Sequence, residues 1–293
     1  MTMFKRFIVA TDLSPASTAV ATCLGALKVY GAEQCLLLQC LTISEAASTA
    51  ISYNTEPIKG MLKEQKTILE NEGFAVEART VVGSPKNEVT RIANEEDYSL
   101  IVLGAQGHSL VRERLLGGVA YGIINQSKKP VLVVPVEKKP GDGDQCEPVT
   151  RCNFQKEILF ATDFSQMADN AFTYVEQFVA NGAGKVTLIH VQDKVKLEKH
   201  TKEQLEEFDR IDRRRLDALK ESLLKKGDSD IDVEVCHGLP FQEITHLIQE
   251  RNVQLAVMGT QGRSFAGKFF LGNVSQNVAR HSVAPVLLIP MVK

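Results

Sequence analysis

Residues 255–275 read L-A-V-M-G-T-Q-G-R-S-F-A-G-K-F-F-L-G-N-V-S, from Leu255 to Ser275. The four apolar residues Leu255–Met258 fit a short buried strand. Gly259 and Gly262 bracket two residues, and nine more separate Gly262 from Gly272. The periodic run through Val274 and Val278 fits a helix that begins near Gly272. Glycines at a strand end let backbone N–H groups approach a ligand with no Cβ in the way. A helix N-terminus offers unpaired N–H groups and partial positive charge. Phosphate suits that combination. Ser275 would add a hydroxyl, and Arg263 or Lys268 would add charge. The same glycines also serve as plain punctuation between elements, so both readings stand at this point.

The stretch occurs twice. Residues 101–120 read I-V-L-G-A-Q-G-H-S-L-V-R-E-R-L-L-G-G-V-A, and Gly104, Gly107 and Gly117 match Gly259, Gly262 and Gly272 at an offset of 155. The chain is therefore a tandem repeat. Each copy opens on a strand, Phe7–Thr11 and Ile158–Thr162, that runs into A-T-D-x-S. Asp12 and Asp163 correspond at an offset of 151, and Ser14 and Ser165 follow as helix N-caps. The first helices are expected to stop at Gly31 and at Asn181-Gly182. The offset grows by four between the two motifs, 155 minus 151, across Ser44–Thr55, which reads as a polar loop. The matching stretch of the second copy reads as a long charged helix with Leu205, Phe208, Ile211, Leu216, Leu219 and Leu223 as its buried stripe. Strand and helix then alternate to a last strand in each copy, Pro130–Pro135 and Pro285–Pro290. Such alternation predicts an α/β doubly wound parallel sheet with helices on both faces. A ligand is expected at the carboxyl ends of its strands.

The boundaries read as 1–137 for the first domain, 138–154 for a Pro/Gly/Asp linker and 155–293 for the second domain. A chain of 293 residues with 44% hydrophobic content can bury two cores. The net charge of −2 and the absence of Trp give no sign of nucleic acid binding. The N-terminal apolar run is too short for a signal peptide core or a membrane span, so a cytoplasmic protein without membrane insertion is expected. Six scattered cysteines, Cys23, Cys35, Cys40, Cys146, Cys152 and Cys236, are expected as reduced thiols there. They include no Cys-x-x-Cys, so no metal site is assigned.

The ordered set A-T-D-x-S, L-I-H-V-x-D, Gly-x-x-Gly-nine-Gly and P-V-L-L-I-P resembles the universal stress protein family, here in tandem. The resemblance covers nearly all of both copies. It implies two Rossmann-like domains, each a five-stranded parallel sheet of order 3-2-1-4-5, and cytoplasmic localisation. It also implies pairing of the domains through their last strands, an intramolecular pseudo-dimer. Whether two chains form a homodimer stays open. The family divides into members that bind ATP and members that do not. Carried over to the second copy, the ATP site would comprise Ala161, Thr162, Asp163, Val191, Met258, Gly259, Gly262, Arg263, Gly272, Asn273, Val274 and Ser275. Asp163 would stand by the ribose or a phosphate-bound magnesium, and the Val191 backbone by adenine. Asn273 replaces the usual Ser or Thr after Gly272. In the first copy Gly118 and Ala120 remove both hydroxyls, so that site reads as degenerate.

The leading functional reading is a stress-response protein that binds an adenine nucleotide, ATP with or without Mg, in its second domain. It would act through a protein partner whose identity the sequence does not give. The alternative is an interaction or chaperone-like protein whose cleft is empty or holds another small or lipid-like ligand. An enzyme is not expected beyond weak ATPase activity. Asp163, His190 and Ser275 make no nucleophile, base and orienting set.

Overall fold

The computed structural model describes residues 2–52, 56–105, 116–139, 145–150, 152–197, 201–262 and 271–291. Arg263, Lys268, Gly107 and His108 lie outside the described residues. The chain divides into two compact units, Met1–Cys152 and Asn153–Lys293.

The first unit runs β1 (Arg6–Thr11), α1 (Pro15–Ala21), a 3-10 helix (Leu24–Tyr30), β2 (Gln34–Leu41), α2 (Ile43–Ser52), α3 (Glu56–Asn71), β3 (Ala75–Val82), α4 (Pro85–Glu95), β4 (Leu100–Gly104), α5 (Gly118–Gln126) and β5 (Val131–Val134). Its strands pair in parallel in the order β3-β2-β1-β4-β5. Helices α1 and α3 pack together, as do α4 and α5. Ile8, Leu36, Leu100–Val102 and Val131–Val134 are buried, as a parallel sheet covered on both faces requires. Phe7 and Phe74 meet edge to face at 4.9 Å. A short antiparallel hairpin of β6 (Val136–Lys138) and β7 (Cys146–Pro148) follows, and both strands contact α1.

The second unit repeats the plan with β8 (Glu157–Ala161), α6 (Gln166–Ala180), β9 (Lys185–Asp193), α7 (Lys194–Leu197), α8 (Lys202–Leu224), β10 (Asp230–Gly238), α9 (Pro240–Glu250), β11 (Leu255–Gly259), α10 (Asn273–His281) and β12 (Val286–Ile289). Its sheet is again parallel, in the order β10-β9-β8-β11-β12. Each first helix starts as expected. Ser14 Oγ accepts from Ser17 N–H at 3.2 Å and Ser165 Oγ from Ala168 N–H at 3.3 Å.

Four details differ from the sequence reading. Residues 43–52 are helical rather than loop, because Thr42 and Glu45 form a reciprocal cap. Thr42 N–H donates to Glu45 Oε2 at 2.7 Å and Glu45 N–H to Thr42 Oγ1 at 3.3 Å. The helix expected to reach Gly31 ends at Ala21 and resumes as the 3-10 turn, with Gly31 at φ 82° closing it. The apolar stripe of α8 is shorter than expected. Leu216 and Leu223 are buried while Ile211 is 38% exposed, and Asp212 takes the inward position one turn before Leu216. Cys23 and Cys152 are joined as a disulfide with Cα atoms 5.3 Å apart, across 129 residues of sequence. The expectation of six reduced thiols is corrected to four cysteines outside a disulfide, Cys35, Cys40, Cys146 and Cys236, because the chain folds back onto α1 before it enters the second unit.

Asp97 and Asn252, which correspond at an offset of 155, both follow a helix C-cap at φ 52°. This left-handed geometry penalises a Cβ, least for Asn and Asp. Asn252→Ala is expected to lower stability by about 1 kcal/mol while Asn252→Gly does not. Thermal melts of the two variants side by side check the contrast.

Candidate functional site

Parallel pairing of β8 with β11, Leu255 opposite Ile158, sends both strands toward the same edge. Asp163 leaves β8 there and the glycine loop leaves β11. The two meet: a Cβ on Gly262 would lie 2.5 Å from Asp163 Oδ2. A Cβ on Gly272 would lie 3.3 Å from Gln261 Cα and from Thr260 O, and one on Gly259 would lie 3.2 Å from Met167 Cβ. None of these three has a positive φ. Their place in the motif therefore answers to close packing within the loop and not to a left-handed turn.

Gly272 N–H donates to Thr260 O at 2.8 Å and closes the loop at its far end. Gly272 is also the N-cap of α10, and among the described residues no side-chain cap bond is made at that end and no acid stands in its first turn. The first-turn N–H groups of Asn273, Val274 and Ser275 therefore have no intrahelical partner and carry the positive end of the helix dipole. Exposed Asn273 accepts from Asn277 Nδ2 at Oδ1, 2.8 Å, which leaves its own amide N–H groups as the donors on this rim. Ser275 is placed differently from expectation. It is 4% exposed, and its Oγ donates to Gly259 O at 2.8 Å. Its proton ties the end of β11 to α10, so among the described residues the backbone and Asn273 are the donors left at this rim.

Around Asp163 the remaining candidate residues are structural neighbours. Thr162 N–H donates to Ile189 O at 3.0 Å, and Thr162 Oγ1 accepts from Phe164 N–H at 2.9 Å. Asp163 Oδ1 accepts from Ser165 N–H at 3.0 Å. Ala161 and Met258 are buried at the ends of their strands, and half-buried Val191 lies on β9 opposite Cys236. Arg263 lies outside the described residues.

The sequence reading missed a side-chain cluster at the end of β9. His190 Nδ1 lies 2.7 Å from Thr162 O, and since a carbonyl only accepts, that nitrogen carries the proton. His190 Nε2 lies 3.5 Å from Asp212 Oδ2, and Gln192 Nε2 donates to the same oxygen at 2.9 Å. The Phe164 ring lies 4.7 Å from the His190 ring, and the Arg215 guanidinium lies 4.7 Å from the Phe164 centroid. The available signal was Asp212 inside an otherwise apolar helical stripe. At an offset of 151, Leu13, Gln39 and Leu41 stand where the second unit has Phe164, His190 and Gln192. In the first unit these residues border an open cavity of about 540 Å³ that also touches Asp12, Ser44 and Met61. Asp12 is held by the serines that follow it. Its Oδ1 accepts from Ser14 N–H, Ser14 Oγ and Ser17 Oγ at 3.0, 2.6 and 2.5 Å, and Ala168 stands in place of Ser17 in the second unit.

Ser275→Ala is expected to lower stability by about 1–3 kcal/mol, because Gly259 O would be left buried without its donor. Urea unfolding checks it, and an unchanged midpoint would remove Ser275 as the tie between strand and helix.

Comparison with known proteins follows the same division. The profile described as the universal stress protein family matches residues 3–135 and again residues 155–290. A universal stress protein of Methanocaldococcus jannaschii is 29% identical over 154 residues, 45% of this chain and 95% of its own length. One of Mycobacterium tuberculosis is 31% identical over 145 residues, 46% of this chain and 98% of its own. The crystal structure of a universal stress protein from Archaeoglobus fulgidus superposes with a TM-score of 0.73 at 26% identity, covering 97% of this chain and 96% of that one. Among the described residues no helix is long and apolar enough to cross a membrane. The chain belongs to the universal stress protein family, with two tandem copies of its domain.

Proposed function

We propose that this protein binds an adenine nucleotide, ATP with or without Mg, in the cleft of its second unit, and that it serves a stress response in the cytoplasm through protein partners. The observation that carries this reading is the join between Asp163 and Gly262 beside the uncapped N-terminus of α10. Such a rim would offer backbone donors to phosphate oxygens, and a Cβ at residue 262 would crowd the carboxylate beside it. Asp163 would hold the magnesium that accompanies the phosphates, and a bound magnesium would neutralise phosphate charge there. The reading is of a binding protein, because the residues at the cleft bind and orient and no nucleophile is activated among those described. The domains would be those bounded at 1–137 and 155–293, and whether chains pair is left to measurement.

The cavity of about 540 Å³ in the first unit favours a second reading, in which that cleft takes another small or lipid-like ligand. There Gly118 stands in place of Asn273, Ala120 cannot tie its helix to the strand as Ser275 does, and Asp12 accepts from three local donors.

A thermal-shift titration with Mg-ATP, ADP, AMP and GTP tests the first reading. An adenine-specific rise is expected, worth about 2.7 kcal/mol at a hundredfold excess over Kd. Gly262→Val should abolish it, because its Cβ would meet the Asp163 carboxylate. No shift at millimolar ATP overturns the reading, and native mass spectrometry for a co-purified molecule then tests the second.

A further inference from the structure

We propose that Cys23 and Cys152 form a reversible thiol–disulfide modification site, served by small sulfur compounds through the cavity beside it, that fastens the end of the first unit to α1. The inference is independent of nucleotide binding. Cys23 follows the C-cap of α1 and is 4% exposed, while half-buried Cys152 is the last residue of the first unit. Their Cα separation of 5.3 Å lies inside the range a disulfide spans without backbone movement. Thr22, Cys23, Glu72, Glu147, Thr150 and Cys152 border a cavity of about 400 Å³. It gives a small reagent access to the Cys152 sulfur.

Three of the four remaining cysteines are poor competitors. Burial pushes the Cys40 thiol up to about 11, with Glu88 adding to the rise, and burial raises Cys35 further. Burial, then Glu234, raises Cys236. The thiolate is the reacting form, so these three are held back.

The chemistry is exchange with a low-molecular-weight disulfide R–S–S–R. The Cys152 thiolate attacks one sulfur, forming a mixed disulfide and releasing R–S⁻. The Cys23 thiolate then attacks the Cys152 sulfur and releases the second R–S⁻. The two cysteine protons end on the two R–SH products. The protein dithiol is oxidised and the small disulfide is reduced by the same two electrons. Reduction by a small thiol runs the sequence backward. Glu72 and Glu147 at the cavity favour cationic reagents over anionic ones.

The full chain is equilibrated with glutathione mixtures from reducing to oxidising, alkylated, and mapped without reduction. The expected result is loss of the Cys23 and Cys152 thiols together, one peptide pair linked through them, and recovery of both under reducing mixtures. Cystamine should oxidise the pair faster than oxidised glutathione, and Glu147→Gln should narrow that difference. On reduction, the backbone amides of residues 145–150 should exchange faster with deuterium while those of α5 do not. Cys152 linked to Cys146, thiols that stay alkylatable at the oxidising limit, or a bond that reduced glutathione leaves intact would each overturn the proposal. So would unchanged exchange at residues 145–150. Reduction of the unmodified chain makes the reading even if Cys23→Ser does not fold.

Discussion

The absence of a Cβ at Gly262 is the constraint on which the second unit's cleft depends. The Asp163 carboxylate comes within 2.5 Å of where that atom would be. The approach exists because β8 and β11 are adjacent and parallel, so their carboxyl ends open on the same side. Adjacency in turn comes from the crossover rule. The chain winds outward from β8 to β10, returns through α9 to the other side of β8, and there begins the glycine loop. Backbone donors and a helix N-terminus converge there, and the lack of a Cβ at Gly262 admits the Asp163 carboxylate beside them.

The two units keep this skeleton and differ in what surrounds it. Ser17 in the first unit pulls a third hydrogen bond onto the Asp12 carboxylate, and Ala168 cannot. Ser275 in the second unit closes the carbonyl of Gly259 onto α10, and Ala120 has no hydroxyl to do so. Next to the acid, Leu13 borders an open cavity, whereas Phe164 lies against His190 and under Arg215. The second unit thus ties its glycine strand to the following helix, while the first unit has a cavity beside its acid.

Much of this was legible in the sequence because it is local or periodic. The apolar strand runs, the serine caps and the repeat offsets of 151 and 155 all follow from spacing along one chain. The helix at residues 43–52 was also legible in principle through the Thr42 and Glu45 pair, but its small polar residues resemble a loop in composition. Contacts across long separations were not legible. Cys23 and Cys152 stand 129 residues apart, and nothing near either announces the other. Ser275 shows the same limit within the site. Its position in the motif is local, but the acceptor of its proton lies 16 residues back on β11.

That last contact changes how the motif's serine works. A hydroxyl pointed at a ligand gains from binding alone, whereas one donating to a buried carbonyl contributes to stability whether or not a ligand is present. Ser275 belongs to the second kind, and it holds the α10 N-terminus against the strand that carries Gly259. The N–H groups of that first turn are then fixed before any anion arrives, so little ordering is left to oppose binding. A rigid backbone rim of this kind would also tolerate Asn273 where a hydroxyl residue is usual, because its main-chain N–H groups are donors that no substitution other than proline removes.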